Sequence, residues 1–157
     1  MALPKNSKHY YSFVDINGAV ESLINRMREE GWAPDLIVGI TRGGLVPAVM
    51  LSHKLGCNMM SLNWSSTNDD LRVSDCAMAE DAVHGKRILL VDNICYSGET
   101  LRGIQKDWNS SVRDDIGWNI TTRFAVIDYN EASDFPVDYY SNKVQDKGRI
   151  VYPWEDE

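Results

Sequence analysis

Residues 87–101 read RILLVDNICYSGETL. Ile88 to Val91 form a short continuous apolar run that meets a carboxylate at Asp92, so the segment reads as a buried strand ending in an acid. Small, donor-rich residues follow at once: Ser97, Gly98 and Thr100. Glycine lets the backbone approach an anion closely and adopts positive φ without a Cβ clash. A helix is predicted from about Gly98 to Asp107, and the N–H groups of its first turn have no helical carbonyl to bond. With the hydroxyls of Ser97 and Thr100, Tyr96 to Thr100 therefore make a candidate cradle for a monophosphate. Asp92, just before it, can accept hydrogen bonds from vicinal sugar hydroxyls or hold Mg²⁺ through water. Either half alone has an ordinary reading, a turn-capping Asp or a Ser-capped helix start. The joint pattern is far more specific.

Working outward, a helix is predicted from an N-cap at Asp15 to about Glu30, with Val20, Leu23, Ile24 and Met27 on one face and Gly31 as its stop. Tyr10 to Phe13 suggests a short strand before it. Leu36 to Ile40 is a buried strand that breaks at Thr41-Arg42-Gly43-Gly44, and a helix follows from about Leu45 to Leu55. Further strands are predicted at Cys57 to Leu62, Thr121 to Ile127 and Val137 to Tyr140. The polar stretch from about Trp64 to Glu80 is predicted as a long loop. Strand–helix alternation of this kind implies an α/β fold with a mainly parallel sheet, in a single domain over residues 1–157. Ligands in such folds sit beyond the carboxyl ends of the strands, where both the TRGG turn and the 92–100 segment fall. In the TRGG turn Arg42 is a fixed cation and the glycines expose N–H groups, which suits a second anion such as a pyrophosphate. G-x-x-x-x-G-K-[ST] and G-x-G-x-x-G are both absent, so neither a Walker A loop nor a standard dinucleotide fingerprint is supported.

The bulk composition narrows the class. The chain has 157 residues, 43% hydrophobic and 25% charged, with a net charge of −7. That length buries one substantial core. The acidic balance, with no Lys/Arg cluster, argues against a nucleic-acid or membrane-surface partner but not against a small anionic ligand held locally. Three cysteines, Cys57, Cys76 and Cys95, show no CxxC spacing, and the histidines His9, His53 and His84 are scattered. This fits a reducing, cytoplasmic setting and gives no His/Cys metal site. No apolar run approaches the roughly 18 residues of a membrane span.

The segment ILLVDNICYSGETL resembles the signature of type I phosphoribosyltransferases, which use 5-phosphoribosyl-1-pyrophosphate (PRPP). GITRGGLVPAVMLSHKLG is similar to the pyrophosphate loop and following helix of the xanthine-guanine enzymes of that family, and IVYPWED resembles their C-terminal segment. The resemblance implies that family's fold, with a small hood formed by the C-terminal segment, and transfer of the phosphoribosyl group to a nucleobase, a 6-oxopurine in the branch it points to. It implies Mg²⁺ as cofactor, no nucleic-acid or membrane partner, and a homodimer or homotetramer. By position, Tyr96, Ser97, Gly98, Glu99 and Thr100 would bind the 5′-phosphate. Asp92 and Asn93 would hold ribose and metal. Thr41, Arg42, Gly43 and Arg72 would hold pyrophosphate, with a cis peptide between Thr41 and Arg42. Asp92, Arg42 and Tyr96 would be the catalytic set. Asn130, Arg149, Ile150 and Trp154 would face the base, and the Trp64–Glu80 loop would close over the site.

Three positions depart from the family pattern. Asn93 stands where a second acid is usual. Tyr96 stands where the 6-oxopurine enzymes carry an Asp, and a phenol is a poor base at neutral pH. Asn130 and Arg149 replace a base-reading lysine and an aromatic. A non-catalytic regulator that binds PRPP or a nucleotide on the same fold is therefore the alternative expectation, and an unrelated α/β nucleotide-binding protein is a third.

Overall fold

The computed structural model describes residues 8–65, 76–145 and 150–155. Among the described residues, seven strands and four α-helices follow in order: β1 (His9–Tyr10), α1 (Phe13–Glu30), β2 (Leu36–Ile40), α2 (Leu45–Leu55), β3 (Asn58–Leu62), α3 (Cys76–Val83), β4 (Ile88–Cys95), α4 (Glu99–Ser111), β5 (Thr122–Asn130), β6 (Tyr139–Val144) and β7 (Ile150–Val151). Five strands make a parallel sheet in the order β3-β2-β4-β5-β6. β1 and β7 pair in parallel as a separate two-stranded sheet.

The central strands β2, β4 and β5 are covered on both faces, as their apolar runs require, while the edge strand β3 is largely exposed. Leu36, Val38, Ile40, Ile88 and Leu90 pack on one side with Ala79 of α3 and Leu101, Ile104 and Trp108 of α4. Ile37, Leu89, Val91, Ala125 and Ile127 pack on the other with Val20, Leu23 and Ile24 of α1 and Leu51 of α2. The two-residue period of each strand distributes successive side chains between these layers.

Several boundaries differ from the sequence expectation. Helix α1 begins earlier, because Ser12 rather than Asp15 is its N-cap. Ser12 Oγ accepts from the Asp15 N–H at 3.1 Å and Asp15 Oδ2 accepts from the Ser12 N–H at 2.8 Å, a reciprocal capping box. The last part of the predicted 64–80 loop is helical: α3 starts at Cys76 and buries Met78, Ala79 and Ala82. The remainder of that loop, residues 66–75, lies outside the described residues. β5 and β6 both run further than predicted, because their polar ends, Asp128 to Asn130 and Asn142 to Val144, pair with each other. The C-terminal hood draws its partner strand from the N-terminus, which sequence order alone does not suggest.

Two glycines are expected to respond oppositely to alanine in urea unfolding. A Cβ on Gly44 would lie 2.0 Å from the Val91 carbonyl oxygen and 2.8 Å from that of Ile40, so Gly44→Ala should cost about 2–3 kcal/mol by forcing α2 off the sheet. Gly18, in α1, has nothing within 4 Å of the same position. Gly18→Ala should therefore stabilise by about 0.5–1 kcal/mol through helix propensity.

Candidate active site

β2 leads through α2 to β3 on one side of it, while β4 lies on its other side. The connections thus diverge beyond the carboxyl ends of β2 and β4, where a crevice opens in folds of this type. The TRGG turn leaves β2 there, and the 96–100 loop leaves β4.

The turn is pressed onto β4. Besides the contact at Gly44, a Cβ on Gly43 would meet Asn93 Oδ1 at 2.5 Å. Thr41 is held at both ends, its N–H donating to Leu62 O at 3.0 Å and its Oγ1 accepting from the Trp64 N–H at 3.1 Å. The Thr41–Arg42 peptide bond is cis, as the resemblance implied.

β4 does not stop at its acid. It runs through to Cys95, with Asp92 opposite Val126 and Ile94 opposite Asp128 in β5. Asp92 is consequently a strand residue rather than a turn cap, and its Oδ1 accepts from the Asn93 N–H at 2.8 Å. Two cavities meet at this point. One of about 240 Å³ is lined by residues 92–101, which include the whole predicted phosphate loop. The other, about 660 Å³, is lined by Thr41, Arg42, Gly43, Asp92, Asn93, Trp154 and Glu155. Asp92 and Asn93 line both. The Asp92 carboxyl is only partly covered by area, yet desolvation pushes it up to about 7, opposed by the bond from the Asn93 N–H.

The phosphate loop turns at Gly98, which has φ 81° and caps α4 without a side-chain bond. A Cβ there would sit 2.6 Å from that of Phe135, so glycine is required on both counts. Ser97 Oγ accepts from the Glu99 N–H at 3.3 Å. Two loop carbonyls are tied off by donors: Asn130 Nδ2 donates to Tyr96 O at 3.0 Å, and Arg102 donates to Ser97 O at 3.0 Å and to Ser133 O at 2.7 Å. Each such bond engages one of the carbonyl's two lone pairs and so weakens its repulsion of an anion. Asn130, expected at the base, is thus also a brace for this loop. Its Oδ1 accepts from the Ala132 N–H at 3.1 Å, so both ends of the amide are engaged within the chain.

The remaining expected base residues separate. Trp154 lines the larger cavity and stacks on Tyr152, with centroids 5.1 Å apart and planes 17° from parallel. Ile150 pairs with His9 and packs against the α1-side core, and it is not among that cavity's lining residues. Tyr96 is exposed and lines the smaller cavity. Arg72 and Arg149 lie outside the described residues. Three features went unread in the sequence: Arg102 behind the phosphate loop, Glu155 beside Trp154, and a buried cluster of Tyr11, Asp128 and Tyr152. An acid inside the otherwise apolar strand FAVID was the available signal for the last.

Two anion-suited turns at one switch point, joined by a strand-borne acid, define a protein that holds a phosphorylated sugar with a second charged group. A family model described as phosphoribosyl transferase domain matches residues 9–106, and the chain belongs to that family. It is 30% identical to the xanthine-guanine phosphoribosyltransferase of Cereibacter sphaeroides, over 98% of this chain and 90% of that one. The enzyme of the same name from Gluconobacter oxydans is 28% identical over 76% of this chain and 67% of its own length. Among solved structures, a purine phosphoribosyltransferase from Pyrococcus horikoshii superposes with a TM-score of 0.74 at 25% identity, covering 96% of both chains.

The raised Asp92 pKa sets a pH dependence. The folded state holds the proton more tightly than the unfolded chain, whose value is 3.8, so this group's stabilising contribution is complete below that value and is lost as the pH rises through about 7. In buffer without divalent cation or nucleotide, wild-type stability relative to Asp92→Asn should therefore fall by on the order of 1–3 kcal/mol between about pH 4 and about pH 8. Urea unfolding of both proteins across that range is the check, and a pH-independent difference would contradict the assignment.

Proposed function

We propose that the protein transfers the 5-phosphoribosyl group of PRPP to a 6-oxopurine, giving a nucleoside 5′-monophosphate and pyrophosphate. The observation that carries this reading is that Asp92 and Asn93 line both cavities, with the phosphate loop on one side and the TRGG turn and Trp154 on the other. One extended ligand spanning them would place its 5′-phosphate on residues 96–100, its ribose hydroxyls on Asp92 and its pyrophosphate on Thr41, Arg42 and Gly43. The purine-acting relatives support the choice of base class.

In the reaction the bond from ribose C1 to the pyrophosphate oxygen breaks, and its electron pair leaves with pyrophosphate. A ring nitrogen of the base bonds to C1, and its proton is lost. Positive charge develops on the sugar and negative charge on the leaving group, so positioning and electrostatic stabilisation dominate. Arg42 would supply a permanent cation at the leaving group, beside Gly43 on the same cavity wall. Trp154 offers an aromatic face for the base. Tyr96 can donate or accept one hydrogen bond at the edge of the phosphate loop, but a phenol does not replace a carboxylate as proton acceptor.

Mg²⁺ fits the donor set. It binds through one or two protein oxygens plus substrate phosphates and retained waters, and a partly covered, desolvated carboxylate beside an amide oxygen supplies such a foothold. Asp92 and Asn93 would hold it, and its charge would offset that of the pyrophosphate. No group of three or more His, Cys, Asp or Glu side chains forms a dedicated metal cage among the described residues. We infer further that the chain is one domain acting in the cytoplasm as a homodimer or homotetramer. Among the described residues no helix is long and apolar enough to cross a membrane.

The decisive experiment measures pyrophosphate release from PRPP and Mg²⁺ with guanine, xanthine, hypoxanthine, adenine, uracil or orotate. Release should depend on a 6-oxopurine, and Arg42→Ala should lower kcat/KM by about 100-fold. Asp92→Asn should weaken PRPP affinity about tenfold in calorimetry, through loss of a charged acceptor for the ribose hydroxyls. Tight PRPP binding without release for any base would instead favour a PRPP-sensing regulator, the reading that Asn93 and Tyr96 leave room for. Sedimentation at micromolar concentration should show an oligomer, and a pure monomer would remove that inference.

A further inference from the structure

Asp128 is fully buried in β5 between apolar neighbours, and no Lys or Arg is paired with it by any described salt bridge. Both of its oxygens are used: Oδ1 accepts from the Tyr11 hydroxyl at 2.8 Å and Oδ2 from the Tyr152 hydroxyl at 2.6 Å. The Tyr11 and Tyr152 rings lie against each other, with centroids 5.6 Å apart. These residues come from three parts of the chain: the end of β1, the interior of β5 and the end of β7. Desolvating a carboxylate is expensive, and apolar side chains of similar volume would fill the same space without that cost. What a hydrogen-bonded acid adds to packing is direction, because it accepts each hydroxyl along a defined line.

The direction bears on the cavity. Tyr152 is 3% exposed, and its hydroxyl is also 3.3 Å from the backbone carbonyl of Asn93. Its ring stacks on Trp154. Asn93 and Trp154 both line the larger cavity. One buried side chain therefore touches, from behind, the segment assigned to the sugar and the ring assigned to the base. Stacked rings slide over one another at little cost, whereas a hydroxyl bonded to a fixed acid does not.

We propose that Tyr152, oriented by Asp128 and Tyr11, is a positioning residue that sets the Asp92-Asn93 segment relative to Trp154, so that the sugar and base halves of the site are held as one unit. This rests on the reading of the larger cavity as the substrate site. Tyr152 itself does not reach substrate; it acts through Asn93 and Trp154.

The test compares wild type with Tyr152→Phe, which keeps the ring stack and removes the hydroxyl. Asp128→Asn, which keeps one acceptor, and Asp128→Leu, which keeps none, complete the series. Two measurements are made on the full chain. Amide hydrogen exchange without ligand should show segments 91–96 and 151–155 both exchanging about fivefold faster in Tyr152→Phe, with α1 and β2 unchanged. Steady-state kinetics should show KM for PRPP and for the base both raised about tenfold, with kcat changed much less. Asp128→Asn should fall between wild type and Asp128→Leu in both readouts. A lower Tm with both KM values unchanged would reduce Tyr152 to a packing residue and overturn the proposal, as would faster exchange in only one of the two segments. If wild type turns over no base, the proposed function fails on that result, and the two-segment exchange comparison still decides whether Tyr152 couples the two walls.

Discussion

At Gly44 no side chain fits between the TRGG turn and β4. The α-carbon of Gly44 lies so near the Val91 carbonyl that a single methyl would overlap it, while Gly43 lies against the Asn93 side chain. That close approach brings the end of β2 onto the end of β4. It places Arg42 and Asp92 on one cavity and starts α2 at the angle that buries Ala48 and Leu51. Most of what the site can do follows from this backbone-to-backbone contact, because both anion-suited turns hang from the two strands it joins. Glycine is needed here for space rather than for backbone dihedral, since Gly44 itself is in the right-handed helical region.

An acidic chain that binds a highly anionic substrate is a physical problem with a local solution. The net charge of −7 opposes association at long range, but salt screens it over about 8–10 Å. Inside the crevice the relevant charges are few. Arg42 is a lining cation, the start of α4 presents N–H groups, and Arg102 and Asn130 neutralise the carbonyls of the same loop. Three acids share these walls, Glu99 on the smaller cavity, Glu155 on the larger and Asp92 on both. The raised pKa of Asp92 expresses the cost of desolvating its carboxylate, and bonding to sugar hydroxyls or to a cation would offset that cost.

The altered base side is coherent with the geometry around it. Where the family resemblance placed a base-reading side chain, this chain has an Asn that braces the phosphate loop. Where it placed a proton acceptor, Tyr96 lies at the surface of the smaller cavity. In the C-terminal segment Trp154 and Glu155 line the larger cavity and Tyr152 is buried. The Asp128 cluster makes the N-terminal and C-terminal segments into one support, with the small β1–β7 sheet as its frame.

Local chemistry was readable along the chain. An apolar run ending in Asp92, glycines at 43, 44 and 98, and a fixed cation at 42 follow from residue types and nearest-neighbour spacing, and they carried the fold class and the expectation of two anion-suited loops. Helix and strand positions were readable to within a few residues, failing where pairing overrode composition. β4 continues through its acid because β5 supplies partners for Asp92 and Ile94, and α3 forms because Met78, Ala79 and Ala82 find a core to bury in. Strand order, the meeting of both cavities at Asp92, the pairing of β1 with β7 and the convergence of Tyr11, Asp128 and Tyr152 came only from the folded chain. Each joins residues far apart in sequence: Tyr11 and Asp128 are 117 positions apart, and the β1–β7 partners His9 and Ile150 are further apart still. The partners at such distances meet only after the sheet has assembled; an acid within FAVID signals that Asp128 needs partners, but nothing beside it names them.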